Sequence, residues 1–97
     1  MSLKEPYLEV FAERLRQDEK WGPNLVRQLS PERSLAVLHE ETGEAARAVL
    51  DVDRAGLRKE LVQVAAVAIA WIERLDAQEA ARAGAVEAHR LTATKIL

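Results

Sequence analysis

Four glutamates and one glutamine stand where they can share a cation. Glu40, Glu41 and Glu44 fall within about one helical turn, and Glu60 and Gln63 fall within another. Residues three or four apart on a helix have Cβ atoms about 5–6 Å apart. Glu41 and Glu44 therefore reach one ion together, and so do Glu60 and Gln63. Magnesium takes hard oxygen ligands at about 2.0–2.1 Å and keeps waters that a phosphate can displace. Two helices that each offer such a pair make a clamp for Mg²⁺, with Mn²⁺ as its substitute. Crowded carboxylates raise one another's pKa unless a divalent ion offsets the repulsion. No serine or cysteine nucleophile paired with histidine is apparent, and His39 and His89 are isolated and read as surface residues. Di-iron carboxylate bundles need Glu-x-x-His pairs, and none is present.

A plainer reading competes. Most Glu-x-x-Glu pairs are only a solvated helix face, and Glu60 has simple partners to hand in Arg27, Arg33 or Arg47. The surroundings separate the two readings. On the first helix the acids border an apolar face. On the second, Glu60 projects between the directions of Val64 and Val67, where a charge requires a partner or a metal.

The elements that position these residues are helices. Tyr7, Leu8, Val10, Phe11 and Leu15 recur at helical spacing from Pro6 to Lys20, and Trp21-Gly22-Pro23 ends that run. Leu25, Val26 and Leu29 predict a connecting loop that packs down. Ser30-Pro31-Glu32 gives a hydroxyl cap, a proline at the first helical position and an acid in the first turn. The second helix extends to about Leu50, with Leu35, Leu38, Thr42, Ala45, Ala46 and Val49 on one face. Asp53 is a candidate cap for a third helix over Arg54 to Leu75. From Leu61 to Ile72 its only polar residue is Gln63, the pattern of a central helix packed on several sides. Residues 77–97 predict a fourth helix, or an extension of the third, that ends in a loosely held tail.

Composition bounds the rest. A chain of 97 residues is one domain, with its core at about residues 6–76. So short a chain buries limited surface, and one side of the central helix is expected to meet a second subunit. The expected fold is all-α, a small helical bundle of three to four helices completed by homodimerisation or as a homotetramer. A net charge of −2 with mixed signs argues against a nucleic-acid surface. The absence of cysteine fits a reducing, cytoplasmic setting. No apolar run reaches membrane-spanning length.

The chain resembles the MazG-like group of all-α nucleoside triphosphate pyrophosphohydrolases, a group that also includes the dimeric dUTPases. That family carries Glu-x-x-Glu, a spacer, then Glu-x-x-Asp. Here Glu41-Thr-Gly-Glu44 is followed by fifteen residues and then Glu60-Leu-Val-Gln63. The extra acid Glu40, the stretches LAVLHEETGEAARAVL and LRKELVQVAAVAIAWIE, and the word DEKWG around Lys20 and Trp21 are also similar to the family. The resemblance covers Arg14 to Leu75. It implies a Mg²⁺-dependent enzyme that splits a nucleoside triphosphate into the monophosphate and pyrophosphate, in the removal of non-standard or excess nucleotides.

Gln63 departs from the family's aspartate. An amide oxygen still coordinates a hard cation but brings no charge and cannot act as a base. Three readings follow: Gln63 is a neutral ligand beside Glu41, Glu44 and Glu60; Glu40 replaces the lost charge; or the site has decayed and the protein is a nucleotide- or protein-binding helical oligomer. For an active site, Glu41 or Glu44 orients the attacking water. Lys20 and Trp21 are candidates for substrate recognition, and Arg47 and Lys59, with Arg14, Arg16 and Arg58, for contacts to the triphosphate.

Overall fold

The computed structural model describes residues 5–96, and the side chains up to residue 93. Three helices make up the fold: α1 (Pro6–Trp21), α2 (Pro31–Leu50) and α3 (Arg54–Ile96). No strand occurs among the described residues. Local chemistry sets the boundaries. Pro6 opens α1, and Gly22, at φ +90°, closes it in a backbone conformation that L side chains rarely adopt. Ser30 Oγ accepts from the Arg33 amide at 3.1 Å and caps α2. Asp53 Oδ1 accepts from the Gly56 amide at 2.9 Å and caps α3.

The third helix does not stop near Leu75. It runs on unbroken for 43 residues, about 65 Å at 1.5 Å per residue, and sets the 67 Å long axis of the molecule. Asp76, Ala77, Gln78 and Glu79 contain no breaker, and alanine, glutamate and arginine favour continuation. The fourth element is therefore an extension of α3. From Gln78 to Ala93 every side chain is exposed.

Helices α1 and α2 both pack on α3 and not on each other. The face α1 presents to it is not the apolar one, and α2 presents its expected face only in part, through Leu38 and Ala45. On α2 the buried residues are Ser34, Ala45 and Ala48, with Leu38 and Glu41 half-buried. Leu35, Thr42, Ala46 and Val49, expected to face the core, lie outside. On α1 the buried residues are Glu13, Arg14 and Gln17, while Tyr7, Leu8, Phe11 and Leu15 are exposed. Leu25 and Val26 of the connecting loop are exposed as well, and Asn24 is buried in their place. Helix α3 contributes Ala66, Val67 and Ala70. Small residues let helix axes come close, but among the described residues four of the five buried apolar ones are alanines. So thin a core supplies little of the burial on which a domain depends.

Polar bonds do much of the docking between α1 and α3. Arg14 donates to Glu73 Oε1 from Nε at 3.0 Å and from Nη2 at 2.7 Å. Asn24 Nδ2 donates to the Ala70 carbonyl at 2.8 Å. Arg74 donates to Asn24 Oδ1 at 2.6 Å and to Ser34 Oγ at 3.0 Å, tying the loop and α2 to α3. The neutral Asn24–Ala70 bond stabilises by about 0.5–1.5 kcal/mol. The exposed Arg58–Glu9 pair, at 2.7 Å, adds less.

Candidate metal centre

The side-by-side packing of α2 and α3 brings three of the predicted acids together. Glu41, Glu44 and Glu60 each offer a carboxylate oxygen within 4.8 Å of the other two. Glu41 and Glu44 are one turn apart on α2. Glu60 enters from the first turns of α3, where the short 51–53 turn has reversed the chain. Glu41 and Glu60 are half-buried and Glu44 is exposed, so the cluster sits at the rim of the helix interface, open on one side.

The cluster is electrostatically strained. Partial burial, followed by the charges of Glu44, Glu60 and Glu40, pushes the Glu41 carboxyl up to about 7 from an ordinary 4.5. Glu44 is also raised, first through a hydrogen bond to Glu60 and then through its charge. Two carboxyl groups can bond in this way only while one of them carries a proton. Glu60 Oε2 is buried and has no donor from the protein. None of Arg27, Arg33 or Arg47 forms an ion pair with Glu60: Arg47 instead pairs with Asp51 at 3.4 Å, and no ion pair includes Glu60 among the described residues. The simple neutralising partner foreseen for Glu60 is therefore missing. A proton or a cation among the three carboxylates can take its role.

The raised carboxyl has a consequence for stability. The unfolded chain releases the Glu41 proton near 4.5 and the folded chain near 7. Between those values the folded state binds more protons, so stability falls as pH rises through the window and levels off above it. Urea unfolding of the metal-free protein from pH 4.5 to 8 is expected to show this decline, and Glu41→Gln is expected to flatten it. A wild-type curve that rises across the window contradicts the assignment.

The structure does not bring the other predicted site residues into this trio. Glu40 is exposed and acts on Glu41 through its charge. Gln63 and Lys59 line a groove between α1 and α3, beside Glu9, Glu13, Arg16 and Arg58. Arg16 pairs with Glu13 and Arg14 with Glu73 and Asp18. At the end of α1, the Trp21 ring has Lys20 Nζ at 5.0 Å and Arg27 Cζ at 5.6 Å from its centroid. Both histidines are exposed.

Sequence reasoning missed the buried polar cluster of Asn24, Ser34 and Arg74. One signal was available: Ala66, Ala70 and Arg74 follow one another at i, i+4, so the buried stripe of α3 runs directly into an arginine. Among the described residues no helix is long and apolar enough to cross a membrane. No family model, curated protein or solved structure matches the chain.

Proposed function

We propose that the protein is a Mg²⁺-dependent nucleoside triphosphate pyrophosphohydrolase, acting as a homodimer and producing a nucleoside monophosphate and pyrophosphate. The observation that carries this reading is the convergence of Glu41, Glu44 and Glu60 within 4.8 Å, with no basic side chain paired to Glu60 among the described residues. The resemblance of the Glu41–Glu44 and Glu60–Gln63 words to the MazG-like group supplies the reaction.

The donor set fits the ion. Three carboxylates from two helices offer hard oxygen ligands, and the open side leaves room for water and phosphate. Bound Mg²⁺ would offset charge on the phosphate oxygens. The residues of the chain do the rest. A water oriented by Glu41 or Glu44 attacks the α-phosphorus, the bond to the α–β bridging oxygen breaks, and pyrophosphate leaves. A carboxylate beside the water is suited to accept its proton, and bound Mg²⁺ would bring Glu41 down from the value near 7 that it has without the ion. Lys59, and Arg47 once released from Asp51, are the candidates for phosphate contacts.

The test is pyrophosphate release from a panel of ribo- and deoxyribonucleoside triphosphates with Mg²⁺ or Mn²⁺. Turnover of at least one, lost in EDTA, is expected; none across the panel sinks the proposal. A second reading, a helical oligomer that binds nucleotide or protein without turnover, draws on Gln63, which has no carboxylate to offer and lines the groove toward α1. Nucleotide-dependent thermal stabilisation without pyrophosphate release would favour it.

A further inference from the structure

A second charged locus lies in the groove between the 22–30 loop, the start of α2 and the middle of α3. Arg27, Gln28, Ser30, Arg74 and Gln78 line it, with Leu29 among its apolar contacts. Arg74 is only 7% exposed. Its two hydrogen-bond partners, Asn24 and Ser34, are neutral. Arg27 reaches Asn24 Oδ1 at a long 3.4 Å, its Cζ lies over Trp21, and its Nε is buried without an acceptor. Neither arginine has a carboxylate in ion-pair range among the described residues. Glu73, the nearest acid to act on Arg74, is engaged by Arg14.

Burial first, and then the charges of Arg27 and Arg14, hold the Arg74 guanidinium below its ordinary value, with Glu73 offsetting part of this; a buried charge so incompletely compensated is costly. The positive pole of α2 adds to the same field, since Ser30, its cap, is part of the lining. Guanidinium groups bind oxyanions through paired N–H donors. Gln28 and Gln78 add neutral donors, and the groove opens to solvent.

We propose that this groove is a binding site for a small oxyanion, a phosphate or carboxylate group, held by Arg27 and Arg74. It is distinct from the Glu41–Glu44–Glu60 cluster and does not depend on the activity proposed for that cluster.

The 97-residue protein in EDTA, without nucleotide, is titrated with inorganic phosphate or with succinate at constant ionic strength. Thermal unfolding and the arginine Nε–H resonances are followed. The expected result is a saturable rise in melting temperature, with saturable shifts of the Arg27 and Arg74 resonances. Arg27→Gln is expected to weaken the anion at least about 10-fold, the effect of losing one charged hydrogen-bond donor. Glu60→Gln is expected to keep the response, which separates this site from the acidic cluster. Saturation by phosphate alone assigns a phosphate-bearing ligand, and by succinate alone a carboxylate. An effect no larger than that of chloride, or an Arg27→Gln variant with unchanged affinity, overturns the proposal. Because Arg74 also ties the loop to α2, the wild-type resonances decide the matter even where an Arg74 variant does not fold.

Discussion

Glu60→Gln is expected to make the metal-free protein more stable and, on the activity proposed above, to abolish pyrophosphate release. Glu60 Oε2 is buried with no donor, and its carboxylate repels Glu41 and Glu44. The amide keeps the volume, removes the charge and brings two N–H donors that the neighbouring carboxylates can accept. Each kcal/mol of relieved repulsion raises the melting temperature by about 4–8 °C in a domain of this size. The same change removes one of the three carboxylates proposed to hold Mg²⁺. Loss of a partner outside the ligand shell already costs about 10–100-fold in metal affinity or activity, so losing a ligand is expected to lower pyrophosphate release by about 100-fold or more. The Mg²⁺-dependent rise in melting temperature should vanish with it. The opposed signs make the experiment decisive. A glutamate placed only for packing, with a satisfied carboxylate, would lose stability on substitution and leave the magnesium response as it was.

How far the sequence could be read follows from which interactions are local. The ends of α1 and α2 and the start of α3 were legible because Gly22-Pro23, Ser30-Pro31 and Asp53 act on their own neighbours. The far end of α3 was not, because Gly84 alone does not break a helix rich in alanine. The acidic trio was legible because i, i+3 spacing on α2 and an acid inside the apolar run of α3 are both visible in the chain. The rotation of α1 and α2 about their axes was not. An apolar stripe such as Tyr7, Phe11 and Leu15 shows that a face is to be covered, but the stripe reads the same whether the cover is α3 or another molecule. In the structure α3 receives Glu13, Arg14 and Gln17 instead. Arg74 was illegible for the related reason that its partners, Asn24 and Ser34, lie far off in sequence and have no helical pattern of their own.

That inversion motivates the second large effect: Phe11→Asp is expected to break the association of the protein and, with it, much of its stability. Within one chain the buried set includes Glu13, Arg14, Gln17, Asn24, Ser34 and Arg74, while Tyr7 is 85% exposed and Phe11 61%. Tyr7, Phe11 and Leu15 lie along one side of α1, and together with Ala65 and Ile69 of α3 they line a single apolar trough. Monomers rarely leave such a contiguous patch in water. The alanine core offsets little of the chain entropy of a domain, and closing this trough against a second copy, as proposed, would supply further burial. Sedimentation equilibrium should therefore give twice the 10.8 kDa chain mass, with a melting temperature that rises with protein concentration. A central aromatic anchor at such an interface is worth about 2 kcal/mol or more, so Phe11→Asp should weaken association at least about 30-fold. A species of four chains would keep this face and add a second one. A wild-type chain that sediments at 10.8 kDa at every concentration, and melts cooperatively there, would show that the thin polar core suffices alone.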